Sequence, residues 1–265
     1  MIDCIIFSKN RACQLEFLLR SLKLHVDLSD FIVKIIYTYS NNDFENGYKN
    51  LIKNTSDFNW ILQKDKNFKE ALIENIKEDY IMFLVDDICF LDSFSTKLLE
   101  FQELTKNNDI LTLSLRLSPH INFCYAANHI TIVPNMRNGI WDWRQGSGDW
   151  GYPNSVDGNI FRKQDIFNGL SLIDFNEPGS FESRLGRIIR KDTKYLMSCF
   201  SKQKLVNFPL NTVYTENANR CQNISMADLN SKYLSGGRIS FETLNGIANN
   251  MCHVEIKNLI FEKIP

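Results

Sequence analysis

The first 117 residues alternate between short apolar runs and segments with helical periodicity. Runs rich in apolar and β-branched residues at 2–7, 31–39, 58–62, 80–85 and 110–117 predict strands. Between them, residues 12–24, 44–54, 68–76 and 93–105 predict helices; the first has leucines at positions 15, 18, 19 and 22, the spacing of one helical face. This order predicts an α/β fold with a mostly parallel sheet and right-handed crossovers.

The pattern changes after residue 117. Residues 118–160 contain three prolines, five of the twelve glycines and three of the four tryptophans. A loop of this length is usually functional or disordered, and its tryptophans argue against disorder. Farther along, residues 156–161 predict a strand, and residues 178–190 predict a helix that begins at Pro178. We expect a single domain over residues 1–265, with one half at 1–117 and the other at 118–265.

The composition of the chain narrows the classes of function. The net charge of −1 gives no reason to expect a nucleic-acid-binding surface. No window approaches 18 consecutive apolar residues, and the N-terminus lacks the features of a signal peptide. The seven cysteines are scattered, with no Cys-x-x-Cys, which favours reduced thiols in a cytoplasmic protein over disulfides or structural zinc.

Two adjacent carboxylates, Asp86 and Asp87, end the apolar run at residues 80–85. Apolar residues on both faces suit a central strand of a parallel sheet, and sites in such sheets lie at the carboxyl ends of the strands. Two acids at that position would repel each other unless a cation lies between them. The alternative is an acidic turn that merely ends a strand.

A second polar segment, Ser8-Lys9-Asn10-Arg11, lies between the first predicted strand and the first predicted helix. Free backbone N–H groups and the positive end of the helix dipole make such a junction suitable for phosphate. The chain has no Gly-x-x-x-x-Gly-Lys-Ser/Thr, and its first glycine is Gly47, so a dinucleotide fingerprint after the first strand is also absent. Both of those nucleotide-binding classes are therefore excluded.

Three segments, taken in order, resemble GT-A type nucleotide-sugar glycosyltransferases, in particular bacterial family 2-like transferases. Phe7-Ser8-Lys9-Asn10-Arg11 is similar to the Ser/Thr-x-Asn-Arg start of that fold. Phe83-Leu84-Val85-Asp86-Asp87-Ile88 is similar to its acidic DxD motif, with Ile88 in place of the final acid, and Gly148-Asp149-Trp150-Gly151 followed by Asp157-Gly158-Asn159 is similar to its acceptor side. The resemblance covers residues 1 to about 190. It implies a Rossmann-type, mostly parallel central sheet flanked by helices, with an irregular acceptor-binding half.

The resemblance also implies an activity, which is the transfer of a sugar from a nucleotide-diphosphate sugar to a glycan or lipid-linked acceptor in bacterial surface-polysaccharide assembly. Such an enzyme would be cytoplasmic, at the inner face of the membrane. It would use Mn²⁺ or Mg²⁺, held by Asp87 and His253, against the charge of the diphosphate. The predicted nucleotide-sugar contacts are Ser8, Lys9, Asn10, Arg11, Asp86, Asp87, Trp141, Trp143 and Trp150. For the tryptophans, the alternative is a small aromatic core that holds the loop closed.

An inverting transferase needs a carboxylate as general base on the acceptor hydroxyl. The candidates are Asp157, Glu182 and Asp149, in that order, whereas a retaining mechanism would not need a dedicated base. Two other functions compete with transfer. A sugar nucleotidyltransferase would normally have a glycine-rich, basic loop after the first strand, which is missing here. A non-catalytic carbohydrate-binding module would use the tryptophan loop and ignore nucleotides.

Overall fold

The computed structural model describes residues 1–63, 66–191, 193–213 and 220–264. The strands are β1 (Ile2–Lys9), β2 (Phe31–Thr38), β3 (Asn59–Leu62), β4 (Tyr80–Val85), β5 (Ile88–Phe90), β6 (Ile110–Ser114), β7 (Phe123–Cys124), β8 (His129–Ile130), β9 (Ile140–Asp142), β10 (Asn159–Arg162), β11 (Leu196–Cys199), β12 (Leu205–Asn207), β13 (Gly237–Ile239) and β14 (Phe261–Lys263). The α-helices are α1 (Ala12–His25), α2 (Asn42–Asn54), α3 (Phe68–Asn75), α4 (Leu99–Lys106), α5 (Lys163–Leu170), α6 (Pro178–Ile189) and α7 (Met226–Leu234).

The described residues form a central sheet of eight strands in the order β3-β2-β1-β4-β10-β6-β11-β9. Strands β3, β2, β1 and β4 are mutually parallel, and β11 is parallel to β6. Strand β10 runs antiparallel to both β4 and β6, and β9 runs antiparallel to β11. The predicted α/β class and mostly parallel sheet are confirmed. Strands from both sides of position 117 share the sheet, and the division into two functional halves stays a prediction.

Apolar side chains cover both faces of this sheet. Alternate residues of β1 point to opposite faces, so that Cys4 and Ile6 join one core cluster and Ile5 and Phe7 join the other. Helices α1, α2, α4 and α7 bury apolar residues in the first cluster, and α3, α5 and α6 bury theirs in the second. The leucine stripe predicted for the first helix is confirmed, because all four leucines are buried. The sheet is therefore covered on both faces, as a mostly parallel sheet requires.

One predicted helix begins later than expected. The pattern of residues 93–105 predicts a helix from Ser93, whereas α4 begins at Leu99. The backbone of Phe94 explains the difference, since its N–H donates to His25 O at 2.9 Å and its carbonyl accepts from Asp27 N at 3.1 Å. The chain is thus extended beside the end of α1, and the helix forms only after it leaves that contact.

None of the helices in the described segments has the length and apolar character needed to cross a membrane.

Candidate functional site

The carboxyl ends of β1 and β4 bring the acid pair and the turn between β1 and α1 together. The two strands are parallel, with Phe7 opposite the last residue of β4, so Asp86 and Asp87 emerge beside that turn. Asn10 adopts the left-handed backbone conformation, with φ of 61°, a region that asparagine tolerates better than most residues. Its side-chain amide donates to Ser40 Oγ at 3.0 Å and accepts from Ser40 N at 2.8 Å, which holds the turn in place.

The carboxylate of Asp86 is hydrogen-bonded to other residues of the protein. Its Oδ2 accepts from the hydroxyl of Ser8 at 2.8 Å and from the backbone N–H of Lys9 at 3.3 Å. Its Oδ1 accepts from Arg11 Nη1 at 2.8 Å, and the hydroxyl of Tyr48 lies 2.7 Å from Ser8 Oγ. Asp86 is only 3% exposed. The oxygens of Asp86 thus shape the turn, and its contact with a nucleotide sugar stays a prediction.

Asp87 has longer contacts and faces a cleft. Arg11 Nη1 lies 3.4 Å from its Oδ2, and Asn207 Nδ2 lies 3.3 Å from its Oδ1. Burial raises the pKa of Asp87 to about 6; Arg11 opposes this rise, and the charges of Asp86 and Asp157 reinforce it. A cation beside Asp87 would favour its ionised form. Asp87 is thus the acid of the pair that is placed to take a ligand.

A short ladder of strands brings His253 to the same place. Asn207 pairs with Ile88 in the antiparallel β12–β5 pair and forms a parallel bridge with His253. The backbone N–H and carbonyl of Asn207 bond to the residues on either side of His253, both at 2.9 Å. Because Ile88 directly follows Asp87, these pairings place His253 near Asp87 although 166 positions separate them in the chain.

Asp87 and His253 fit a divalent cation as two of its ligands. A carboxylate oxygen and an imidazole nitrogen suit Mn²⁺, and His253 lies close enough to Asp87 to lower its pKa. The Nδ1 atom of His253 is buried and has no hydrogen-bond partner. Over the described stretches of the chain, no three His, Cys, Asp or Glu side chains are grouped so that they could hold a metal ion. Water or a bound substrate would supply the remaining ligands.

Asp157, the first candidate for the general base, is held by cationic and imidazole groups. Its Oδ2 lies 3.2 Å from Arg116 Nη1 and 3.6 Å from His253 Nε2. Arg116 is itself buried and donates from Nη2 to Ser155 Oγ at 2.8 Å. Burial alone would raise the pKa of Asp157, but Arg116 and then His253 lower it below its usual value. Asp157 is therefore an ionised carboxylate that is already paired with Arg116 and His253.

The other two candidate bases, Glu182 and Asp149, differ in how they are held. Glu182 lies near the start of α6, and its Oε1 accepts from the backbone N–H of Val156 at 3.1 Å. Burial raises the pKa of Glu182 to about 8, and the charge of Asp157 adds to this rise. Asp149 Oδ1 lies 3.9 Å from Arg116 Nη2, while its Oδ2 is buried without a partner. The pKa of Glu182 is therefore raised, whereas the pKa of Asp157 is lowered.

One cleft of about 610 Å³ is lined by the candidate metal ligands Asp87 and His253 and by the three candidate bases. Its lining includes the acids Asp87, Asp149, Asp157 and Glu182, the basic residues Arg11, Arg116, Arg220 and His253, and the tyrosines Tyr125 and Tyr152. The three candidate bases and the two candidate metal ligands thus face the same space. The lining combines carboxylates with arginines, which suits a polar ligand that carries both negative charge and hydroxyl groups.

The tryptophans lie elsewhere. Trp141 and Trp150 are 2% and 0% exposed and pack edge to face, with ring centroids 4.9 Å apart. Trp141 Nε1 donates to Trp150 O at 3.0 Å, and Trp150 Nε1 donates to Ile121 O at 2.9 Å. Trp143 is also buried, and none of the three lines the cleft. The burial of the three side chains favours the alternative, an aromatic core within the loop, and their contact with a nucleotide sugar stays a prediction.

The four residues Ser8 to Arg11, at the junction of β1 and α1, have different roles. The side chains of Ser8 and Asn10 are buried and bonded within the protein, and their contact with a nucleotide stays a prediction. Arg11 lines the cleft, as expected for a residue near a diphosphate. Lys9 has an exposed side chain, and its contact with a phosphate stays a prediction.

Several residues of the cleft were not predicted from the sequence. Arg116 follows β6 and is the one charged residue in the apolar run 110–117, a signal that could have identified it. Asn207 and Arg220 have no comparable local signal. They reach the cleft through pairing with distant segments, as when Arg220 Nη2 contacts Glu255 Oε1 at 3.0 Å.

Comparison with known proteins identifies a relative by sequence and a similar fold by structure. No family model matches the chain. The bifunctional glycosyltransferase pgtA of Dictyostelium discoideum is 31% identical over 225 residues, which is 72% of this chain and 29% of that protein. The chain therefore spans less than a third of the relative's length, and the similarity concerns one part of it.

One solved structure has a similar fold. Residues 1–349 of S. aureus TarS superpose with a TM-score of 0.51 at 11% identity, covering 77% of this chain and 59% of that one. The mannosyltransferase PcManGT from Pyrobaculum calidifontis, solved with GDP-Man and Mn²⁺, gives a TM-score of 0.41 at 10% identity over 76% of this chain and 54% of that one. The fold is of the GT-A type. The resemblance inferred from the sequence is thus confirmed in its fold, and the relative with recognisable sequence similarity is a glycosyltransferase.

Proposed function

We propose that the protein is a glycosyltransferase that moves a sugar from a nucleotide-diphosphate sugar to a hydroxyl group of an acceptor. The observation that carries this proposal is the cleft at the carboxyl end of β4, where Asp87 and His253 face three further carboxylates. The GT-A fold and the similarity to part of a glycosyltransferase support it. As the sequence resemblance implies, the acceptor is a glycan or a lipid-linked molecule of bacterial surface-polysaccharide assembly, and the enzyme works at the inner face of the membrane.

On the donor side, Asp87 and His253 would hold Mn²⁺ or Mg²⁺, which neutralises the charge that develops on the leaving diphosphate. Arg11 lies beside Asp87 and adds positive charge at the same end of the cleft. Asp86 fixes Arg11 and the turn through the contacts described above. This arrangement places the diphosphate at the carboxyl end of β1 and β4, which is where ligands of open α/β sheets bind.

On the acceptor side, we favour Glu182 as the general base of an inverting reaction. The ionised form of a carboxyl group with a pKa near 8 is a stronger base than one with a lowered pKa, and about a tenth of Glu182 is in that form at pH 7. Asp157 has a lowered pKa because it is paired with Arg116 and His253. We therefore place Asp157 second, as a group that orients Arg116 and His253, and Asp149 third.

The proposal is tested by incubating the purified protein with UDP-, GDP- and dTDP-sugars and Mn²⁺ and measuring the release of nucleoside diphosphate by mass spectrometry. In this assay water takes the place of the acceptor. We expect release from one class of donor, and we expect it to require the metal. The variant Asp87→Asn should reduce the rate by about a hundredfold, since it removes the carboxylate that faces the metal.

The matched control is Asp142→Asn, which makes the same chemical change in an acid that pairs with Arg144 outside the cleft. This variant should release nucleoside diphosphate at the unmodified rate. If no donor is turned over, and a glycan binds equally well in the unmodified protein and in the Asp87→Asn variant, the protein is a carbohydrate-binding module and the proposal is wrong.

A further inference from the structure

The segment just before β10 holds Glu182 at two points. Asn154 Nδ2 donates to the backbone carbonyl of Glu182 at 2.9 Å, and the backbone N–H of Val156 donates to Glu182 Oε1 at 3.1 Å. Gly186 lies one turn farther along α6 and permits this close approach, because a Cβ at that position would lie 3.1 Å from the side-chain amide of Asn154. The backbone of Glu182 and one of its carboxylate oxygens are thus both fixed.

Ser155 lies between these two contacts, and its hydroxyl group is fully used. The side chain is 1% exposed, and its Oγ accepts from Arg116 Nη2 at 2.8 Å and from the backbone N–H of Asp157 at 3.2 Å. A hydroxyl oxygen has two lone pairs, so these donors occupy both and leave the hydroxyl hydrogen to be donated. The carboxylate of Glu182 lies within hydrogen-bonding reach of Ser155 and accepts it.

The main chain brings Arg116 to this hydroxyl. Leu115 N–H donates to the carbonyl of Gly158 at 2.9 Å, so the residue after Leu115 lies beside the residues that precede Gly158. The guanidinium group of Arg116 is buried and forked, and it contacts Asp157 through Nη1 while Nη2 contacts Ser155. Ser155 is therefore the side chain that connects this guanidinium group to Glu182.

We propose that Ser155 is a positioning residue that links Arg116 to Glu182 and fixes the orientation of the Glu182 carboxylate at the wall of the cleft. The inference rests on the proposed function, because it gives Ser155 a role in the reaction for which Glu182 is the base. Hydrogen bonds from Ser155 and from the backbone of Val156 hold the carboxylate where an acceptor hydroxyl can reach it. Both bonds also favour its ionised form.

The charges around Glu182 determine how Ser155 acts on it. Burial is the largest cause of the raised pKa of Glu182, and the charge of Asp157 adds to it. Arg116 and the hydroxyl of Ser155 lower the pKa. Tyr152 is a further titratable side chain close to Glu182, and burial raises its pKa, so that it is neutral at neutral pH. Ser155 thus keeps more of Glu182 in the form that accepts a proton.

The first experiment follows the side-chain carboxyl carbon of Glu182 by NMR during a pH titration, in protein that contains isotope-labelled glutamate. The Glu182→Gln variant identifies the signal. Ser155→Ala should raise the pKa of Glu182 by about one unit, because a hydrogen bond to the ionised form is lost. An unchanged or lower pKa in folded Ser155→Ala would overturn the inference.

The matched control is Ser21→Ala, which removes another buried hydroxyl that donates and accepts hydrogen bonds. Ser21 Oγ donates to Leu18 O at 2.8 Å and accepts from Phe90 N at 3.0 Å. This variant should leave the pKa of Glu182 unchanged. An equal rise in Ser21→Ala would mean that the effect of Ser155→Ala is a general response to destabilisation, and would also overturn the inference.

The second experiment measures kcat/KM for donor turnover against pH. In Ser155→Ala the rising limb should move to higher pH by the same amount as the pKa of Glu182, which lowers the rate at neutral pH by up to about tenfold. Above the limb, the rate should return to that of the unmodified protein. A merely structural role would lower the rate equally at every pH, and that result in the folded variant would overturn the positioning role.

Circular dichroism establishes whether Ser155→Ala is folded. Should it not fold, Ser155→Cys replaces it, since the thiol is close in size to the hydroxyl but is a weaker donor. The pKa of Glu182 should then rise by a smaller amount, and no rise would overturn the inference. The titration needs no substrate. If the pKa responds as expected but no donor is turned over, the proposed function fails while the link between Ser155 and Glu182 stands.

Discussion

The acid pair at residues 86–87 and the tryptophans at residues 141–150 both consist of side chains that ligands commonly contact. Of these residues, only Asp87 borders the cleft. A buried tryptophan is stabilised by every apolar neighbour, and each such side chain buries about 150–250 Å². A buried carboxylate is stable only with partners, which leaves it either bonded, like Asp86, or at the edge of a cavity, like Asp87. Clustered charge is therefore the more specific sign of a site, and clustered aromatic residues are equally consistent with a core.

The largest effect should come from the aromatic region and should concern stability. Trp150 is fully buried and donates a hydrogen bond to Ile121 O. Trp150→Ala should lower the free energy of unfolding by about 3–5 kcal/mol, measured by urea denaturation. Nucleotide affinity of the folded fraction should not change. A loss of nucleotide affinity in a variant that remains fully folded would mean that this region does contact the ligand.

The two members of the acid pair should differ from each other. Substitution of Asp86 should lower stability, and substitution of Asp87 should weaken nucleotide binding. Asp86→Asn breaks a buried ion pair with Arg11 and should cost about 3 kcal/mol of stability. Asp87→Asn should weaken metal-linked nucleotide binding more than tenfold, or about 1.4 kcal/mol, with little loss of stability. Thermal unfolding and calorimetric titration of the two variants measure both quantities. Equal effects on stability would contradict the distinction between the paired acid and the acid that faces the cleft.

The raised pKa of Glu182 predicts how stability and reaction rate depend on pH. Its pKa is raised from 4.5 to about 8, so the folded protein binds this proton more tightly than the unfolded chain does. The free energy of unfolding should therefore receive a contribution that falls as pH rises from about 4.5 to 8, and Glu182→Gln should remove that contribution. If Glu182 is the base, kcat/KM of the unmodified protein should rise up to about tenfold per pH unit below the pKa.

Denaturation and rate profiles of the unmodified protein and of Glu182→Gln give both pH dependences. A rate profile with the same rising limb in Glu182→Gln would remove Glu182 from the role of base and return Asp157 to first place.

The smallest effect should come from Arg144, which lies among the tryptophans. It pairs with Asp142 and lies over the ring of Tyr195, with its side chain 56% exposed. Arg144→Ala should leave the midpoint of urea denaturation nearly unchanged, because exposed ion pairs contribute little to stability. Donor turnover should stay within about twofold. A large loss of turnover would show that the segment around Arg144 closes on the ligand.

The sequence predicts the fold well where neighbouring segments determine it. The apolar runs at residues 2–7 and 80–85 become adjacent parallel strands, and the carboxyl ends of adjacent parallel strands meet at one edge, so Asp87 and Arg11 could be placed together in advance. The start of α4 was misplaced because the backbone of Phe94 bonds to residues near the end of α1, and a helical pattern carries no information about such contacts.

The acceptor side was harder to predict for the same reason. Asn207 reaches Asp87 only through the pairing of β12 with β5, and Arg116 meets Asp157 because β10 returns between β4 and β6. His253 was predicted as a metal ligand from the resemblance alone, and the bridge to Asn207 supplies the physical reason for its position. The order of the three candidate bases depends on burial and on the charge of Arg116, neither of which the sequence shows.

The central claim is that Asp87 receives the metal-bound diphosphate of a nucleotide sugar. The most direct test is isothermal titration of UDP, GDP and dTDP into the unmodified protein and into Asp87→Asn, each with Mn²⁺ and with EDTA. We predict that one nucleotide binds in the presence of Mn²⁺ and that either EDTA or Asp87→Asn weakens its binding more than tenfold. Binding that is equally strong in the folded Asp87→Asn variant, or no binding of any nucleotide, would contradict the claim.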